Sequence, residues 1–224
     1  FSPEETCELF SLAVERIDDD VLEHHCGLAM VEGKRLLEAK DHLERSLALT
    51  ATLPIDLSIQ RESPQNVENS LAVVCGRLCM EALKRGNAPE SDLLFEEARR
   101  HFINARIGQF PNAAAFDAHA RLLRERAQTR YRPDSPDFTL ALGEALGIVA
   151  VGIENVNTEY QADLVSLRAE ILTQLGDQRE AIAELASRSE HGSHHERAQY
   201  HVILGHLLFQ LGQGKRKEVT QALS

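Results

Sequence analysis

Five histidines gather near the carboxyl end, at positions 191, 194, 195, 201 and 206, and neutral imidazole is a common metal ligand. Their spacing does not converge. His201 and His206 stand five apart, which turns them onto different helix faces, no cysteine accompanies them, and His194-His195 falls in a polar stretch that reads as a linker. His24 and His25 are adjacent and diverge in the same way. Cys75 and Cys79 share a helix face, but a reactive thiol needs a cation to hold its thiolate, and Arg77 is the one basic residue placed near them. Core thiols are the commoner outcome for that pattern. GQGK at 212–215 lacks the preceding strand and the spacing of a phosphate-binding loop. No serine sits in a nucleophile elbow, and the carboxylates of Glu96-Glu97 diverge along one helix. No catalytic, cofactor-binding or metal-ligating residue is expected.

The run RLLRERAQTRYR, residues 121–132, holds five arginines. Guanidinium forks bind carboxylates and phosphates bidentately, so an acidic partner is one expectation; a solvated face with Glu125 as internal partner is the other. The whole chain is acidic, with 35 Asp and Glu against 24 Lys and Arg and a net charge of −11. That charge repels phosphate backbones and argues against nucleic acid as the partner. Basic or neutral protein partners are easier to accommodate. No apolar run is read as reaching the roughly 18 residues of a membrane span, and FSPEETCELF lacks the basic-then-apolar order of a secretory signal. A soluble, cytoplasmic protein with no membrane partner is expected. A start at Phe1 rather than Met suggests a piece of a larger multidomain protein.

Helix signals run the length of the chain, and the few β-branched and aromatic runs leave little material for strands, so the expected class is all-α. Ser2-Pro3-Glu4-Glu5 is a strong helix start, with a first helix expected to about Ile17. Others are expected from after Asp20 to Glu32, Arg35 to Leu49, Val67 to Lys84, Asp92 to Ile107 and Ala113 to Arg130. Residues 53–66 read as an ordered loop with Leu57 and Ile59 tucked into the core, and Phe110-Pro111-Asn112 as a helix stop. Phe138 to Gly152 is nearly all apolar and is expected to be the most buried helix. In LRAEILTQLGDQREAIAEL, residues 167–185, Gly176 can adopt the left-handed conformation that separates two helices. A linker at 190–196, a helix from Arg197 to Leu211 and a basic tail beginning another complete the chain.

The helices repeat a pattern. CGLAM (26–30), CGRLC (75–79), RAEIL (168–172) and LGHLL (204–208) place Gly27, Gly76, Ala169 and Gly205 in one slot, with Met30, Cys79, Leu172 and Leu208 three residues later. Small residues at a repeated site imply a close helix crossing. In the partner helices Ala39-x3-Leu43-x2-Ser46, Ala98-x3-Phe102-x2-Ala105 and Ala181-x3-Leu185 repeat the same small-large order. This pattern resembles the tetratricopeptide repeat. Arg168 and Arg188 stand where that family has apolar or small residues.

The resemblance implies a single domain over 1–224, an α-α superhelix of about five hairpins whose first helices line a concave groove that binds a protein or peptide. It would place in that groove His24, Leu28, Val73 and Arg77, then Asp117, Arg121 and Arg124, then Ser166 and Glu170, and finally Val202, His206 and Phe209. A carboxylate clamp of the kind some family members use on chaperone tails is not expected, because His24, Leu28, Ser166 and Glu170 replace its Lys, Asn and Arg. Arg188-x5-His194 resembles a motif of all-helical ribonucleases that would make His194 the general acid or base, but Ser189 and Gly192 suggest that it crosses a loop. The expectation is a non-enzymatic recognition or ligand-sensing scaffold of a signalling or defence protein, with a ribonuclease or a self-associating oligomerisation arm as the alternatives.

Overall fold

A computed structural model describes residues 2–15, 17, 19–52, 63–107, 112–190 and 194–222. Every regular element among them is an α-helix, as expected. In order these are α1 (Pro3–Val14), α2 (Asp20–Glu32), α3 (Leu36–Thr52), α4 (Pro64–Lys84), α5 (Ala88–Arg106), α6 (Ala113–Arg130), α7 (Pro136–Asn155), α8 (Thr158–Leu175), α9 (Gln178–Glu190) and α10 (His194–Ala222). Leu57 and Ile59 of the expected loop, and the stop at Phe110-Pro111, lie outside the described residues; the end of that loop is corrected, since Pro64–Asn66 form the first turn of α4, with proline at its start.

Local chemistry accounts for the helix ends. Ser2 and Glu5 form the predicted capping box, Ser2 accepting from the Glu5 N–H at 3.2 Å and Glu5 accepting from the Ser2 N–H at 2.8 Å. Asp19 caps α2 and Ser135 caps α7 through their side-chain oxygens. Gly176 closes α8 at φ 91°, with the Asp177 N–H donating to the Leu172 carbonyl at 2.8 Å. At the end of α2 the left-handed residue is Lys34, at φ 59°, rather than Gly33.

Several expected boundaries are corrected. α1 stops three residues short of Ile17. α5 begins at Ala88 because Asn87 caps it and Pro89 fits the first turn, where no N–H is needed. His194–Glu196 open α10 instead of forming a linker, and α10 runs unbroken through Gly205, Gly212 and Gly214, so no separate tail helix begins there.

The chain divides into two compact units, Phe1–Leu122 and Leu123–Ser224, with the boundary inside α6. In the first, α1 to α5 each pack on the next, and α2 also touches α4. Its core gathers Cys26, Met30, Leu36, Ala39 and Leu43 with Val67, Leu71 and Val74. The second packs α7 on α8, α8 on α9 and α10, and α9 on α10. Its core includes Val165, Ala169, Leu172, Ala181, Leu185, Tyr200 and Leu207.

The expectation that α7 is the most buried helix fails. Its buried residues form one stripe, Phe138, Leu142, Ala145, Val149 and Gly152, while Leu140 is 73% exposed. α4 buries twice as many, because helices cover it on more sides. Among the described residues α7 is also the one helix long and apolar enough to cross a membrane, 20 residues with mean hydropathy 1.5 and a third of its apolar window buried. That corrects the reading that no run reaches this length.

Candidate functional site

The repeated slots do the work their size suggests in the first unit. A Cβ at Gly27 would lie 2.6 Å from Leu43 Cγ, and one at Gly76 would lie 3.1 Å from Leu122 Cδ2, so glycine permits α3 and α6 to cross close to α2 and α4. Ala39, Leu43, Ser46, Ala98, Phe102, Ala105, Ala181 and Leu185 are all buried, as are Met30, Cys79 and Leu172. The last copy departs from the pattern. A Cβ at Gly205 would meet nothing within 4 Å, and Leu208 is 49% exposed.

Polar side chains tie hairpins together. Glu23, wholly buried, meets His42 at 2.7 Å in a hydrogen bond and Arg45 at 2.6 Å in an ion pair, binding α2 to α3. Lys40 meets Glu97 at 2.8 Å across α3 and α5, and Glu68 holds His101 across α4 and α5. In the second unit Arg168 and Arg188 converge on Glu184 at 3.1 and 3.2 Å. Arg168 thereby ties α8 to α9, whereas the Arg188 pair lies within α9.

Of the twelve predicted groove residues, five come together. Arg124 from the end of α6, Ser166 and Glu170 from α8, and Val202 and His206 from α10 line one cavity of about 400 Å³, a size suited to a small ligand or a short peptide segment. The spacing Ser166-x3-Glu170 and Val202-x3-His206 puts each pair on one helix face. Gln128, Thr173, Gln174, Ile203 and Leu207 complete much of the wall. Gln128 and Gln174 had a signal in the sequence, since each stands four residues beyond a predicted lining residue, Arg124 and Glu170, on the same stripe.

Phe209 does not line this cavity but is 68% exposed on α10, and Val202 is 63% exposed. In the first unit His24 is not free surface: it is buried and hydrogen-bonded through Nε2 to Ser70 at 3.0 Å. Leu28 and Arg77 are exposed and Val73 half-buried. Asp117 pairs with Arg121 at 2.7 Å on α6. The arginine run therefore finds Asp117 and Glu170 as counter-ions, not Glu125.

The remaining chemistry is buried or dispersed. All four cysteines are free and buried. Burial, then Glu23, pushes the Cys26 thiol up to about 11, and burial, then Glu97, pushes Cys75 up to about 12; both are protonated at neutral pH. His119, stacked on Phe102 at 4.9 Å between ring centroids, is held down to about 3 by burial and then by Arg106 and Arg99. Arg188 pairs with Glu184, whereas His194 Nδ1 meets Arg197 at 3.0 Å, so no described contact joins the supposed ribonuclease pair. Among the described residues no cluster of three or more His, Cys, Asp and Glu could hold a metal.

Among the described residues these observations define an all-helical protein with a mixed polar and apolar cavity lined by α6, α8 and α10. In comparisons with known proteins, no family model, no curated protein and no solved structure matches the chain.

Proposed function

We propose that this chain is a non-enzymatic recognition scaffold, tetratricopeptide-like in its hairpin packing, that holds a peptide segment of a protein partner in the cavity between α6, α8 and α10. The observation that carries the reading is the cavity itself: it lies among alternate helices, where stacked hairpins create a concave face, and four of its polar side chains are not engaged by the fold. Among the described residues Gln128, Ser166, Gln174 and His206 make no side-chain hydrogen bond or ion pair. The close crossings at Gly27 and Gly76, the contact of α2 with α4 and the Lys40–Glu97 bridge from α3 to α5 support a solenoid of first and second helices.

A test is capture from a matched lysate by the immobilised full chain, beside a Val202→Asp, Phe209→Asp variant whose fold is checked by circular dichroism. A protein retained by the wild type and lost by the variant, with a crosslink to α8 or α10, is the expected result. Identical retention by both chains would contradict the reading.

A further inference from the structure

The cavity shows one charge to solvent and covers the other. Arg124 and Glu170 are paired, yet the Arg124 side chain is 14% exposed and that of Glu170 50%. Arg124 engages Oε2 of the carboxylate through one guanidinium nitrogen. Oε1 of Glu170 has no partner among the described residues, and a carboxylate can accept roughly four hydrogen bonds. Asp163, seven residues earlier on the same face of α8, is exposed and makes no described ion pair. Two helical turns set these carboxylates roughly 10 Å apart along the axis. Val202 and Ile203 of α10 supply an apolar wall in the cavity that Glu170 lines, and Asp163 stands outside that lining, further along α8.

We propose that this site takes a peptide segment carrying a lysine or arginine, held by Glu170 and Asp163, next to an apolar side chain held by Val202 and Ile203. The proposal rests on the recognition reading above and narrows its partner. A cation joins Glu170 at its open oxygen and leaves the Arg124 pair intact. An acidic ligand would have to displace Glu170 to reach a guanidinium that the fold already covers. The net charge of −11 attracts the same sign of partner at long range. Of the arginine run that suggested an acidic partner, Arg121 and Arg124, the two placed in the expected groove, already have carboxylates within the fold.

Selection of random displayed peptides on the immobilised full chain, with binders to a Val202→Asp chain discarded, reads the chemistry directly. Groove-dependent peptides with Lys or Arg beside Leu, Ile or Phe are the expected outcome. Groove-dependent peptides that are acidic or uncharged overturn the charge assignment and leave the recognition reading standing; no groove-dependent peptide at all overturns both. An enriched peptide should then lose about fivefold in affinity on Glu170→Gln, measured by fluorescence anisotropy, with a smaller loss at high salt. Because Glu170 also pairs with Arg124, Asp163→Asn is the second variant, with about a threefold loss expected. Unchanged affinity in both variants overturns the proposal. So does a dimer of the chain alone, seen by light scattering, that Val202→Asp dissolves, since the face would then belong to a second copy.

Discussion

The first hairpin, α2 with α3, and the last helix, α10, use the same sequence pattern to opposite ends. Around Gly27 the slot is filled by Leu43, and Met30 three residues on is fully buried. Around Gly205 the slot is open, and Leu208 three residues on lies at the surface with Val202 and Phe209. A repeat needs a neighbour on each side to bury its pattern. In the first unit α3 and α4 complete it; α10 has α8 and α9 on one side, while its Leu208 and Phe209 stay exposed. The difference teaches that a small-large motif is a packing device only where another helix arrives.

Substitutions at matched positions can break that contrast. Leu43→Ala should cost about 2–5 kcal/mol in denaturant unfolding through the cavity it leaves, and Leu208→Ala within about 1 kcal/mol. Equal losses would mean that α10 is as enclosed as α3. Gly27→Ala should destabilise by about 1–2 kcal/mol, overpacking against Leu43 outweighing the gain in helix propensity. Gly205→Ala should instead stabilise by up to about 1 kcal/mol, so the sign itself reverses between the two slots.

His119 sharpens the account of the first unit's interior. An unfolded chain takes up the His119 proton near pH 6.5, while the folded chain does so only at about pH 3. Stability therefore falls as pH drops below 6.5, by about 1.4 kcal/mol at pH 5.5 for this residue. His119→Phe should flatten that part of the Tm profile, and an unchanged profile would remove His119 as its source. The smallest effect is a null one: with Cys26 and Cys75 pushed up to about 11 and about 12 and all four thiols buried, a thiol reagent at pH 8 should label none until the chain unfolds.

Much of the fold was legible because helix punctuation is local. Ser2-Pro3, Ser135-Pro136 and Gly176 each satisfy their own neighbours and act where the pattern places them. The expected start of α5 at Asp92 falls four residues late because proline serves a turn and a first helical turn equally well. The burial of α7 was overestimated because composition reports how apolar a helix is but not how many helices cover it. In the site, the stripe spacing identified Arg124, Ser166, Glu170, Val202 and His206, which the cavity unites. Which carboxylate an arginine meets depends on a helix distant in sequence, so Glu170 as the partner of Arg124 could not be read from the run around Glu125.

A photo-crosslinking amino acid placed at Gln174 in the cavity, and separately at Leu93 on the exposed side of α5, tests the central claim most directly when the full chain is irradiated with groove-selected peptides. The account predicts a crosslink from position 174 and none from position 93. Equal crosslinking from both positions, or from 93 alone, would contradict it.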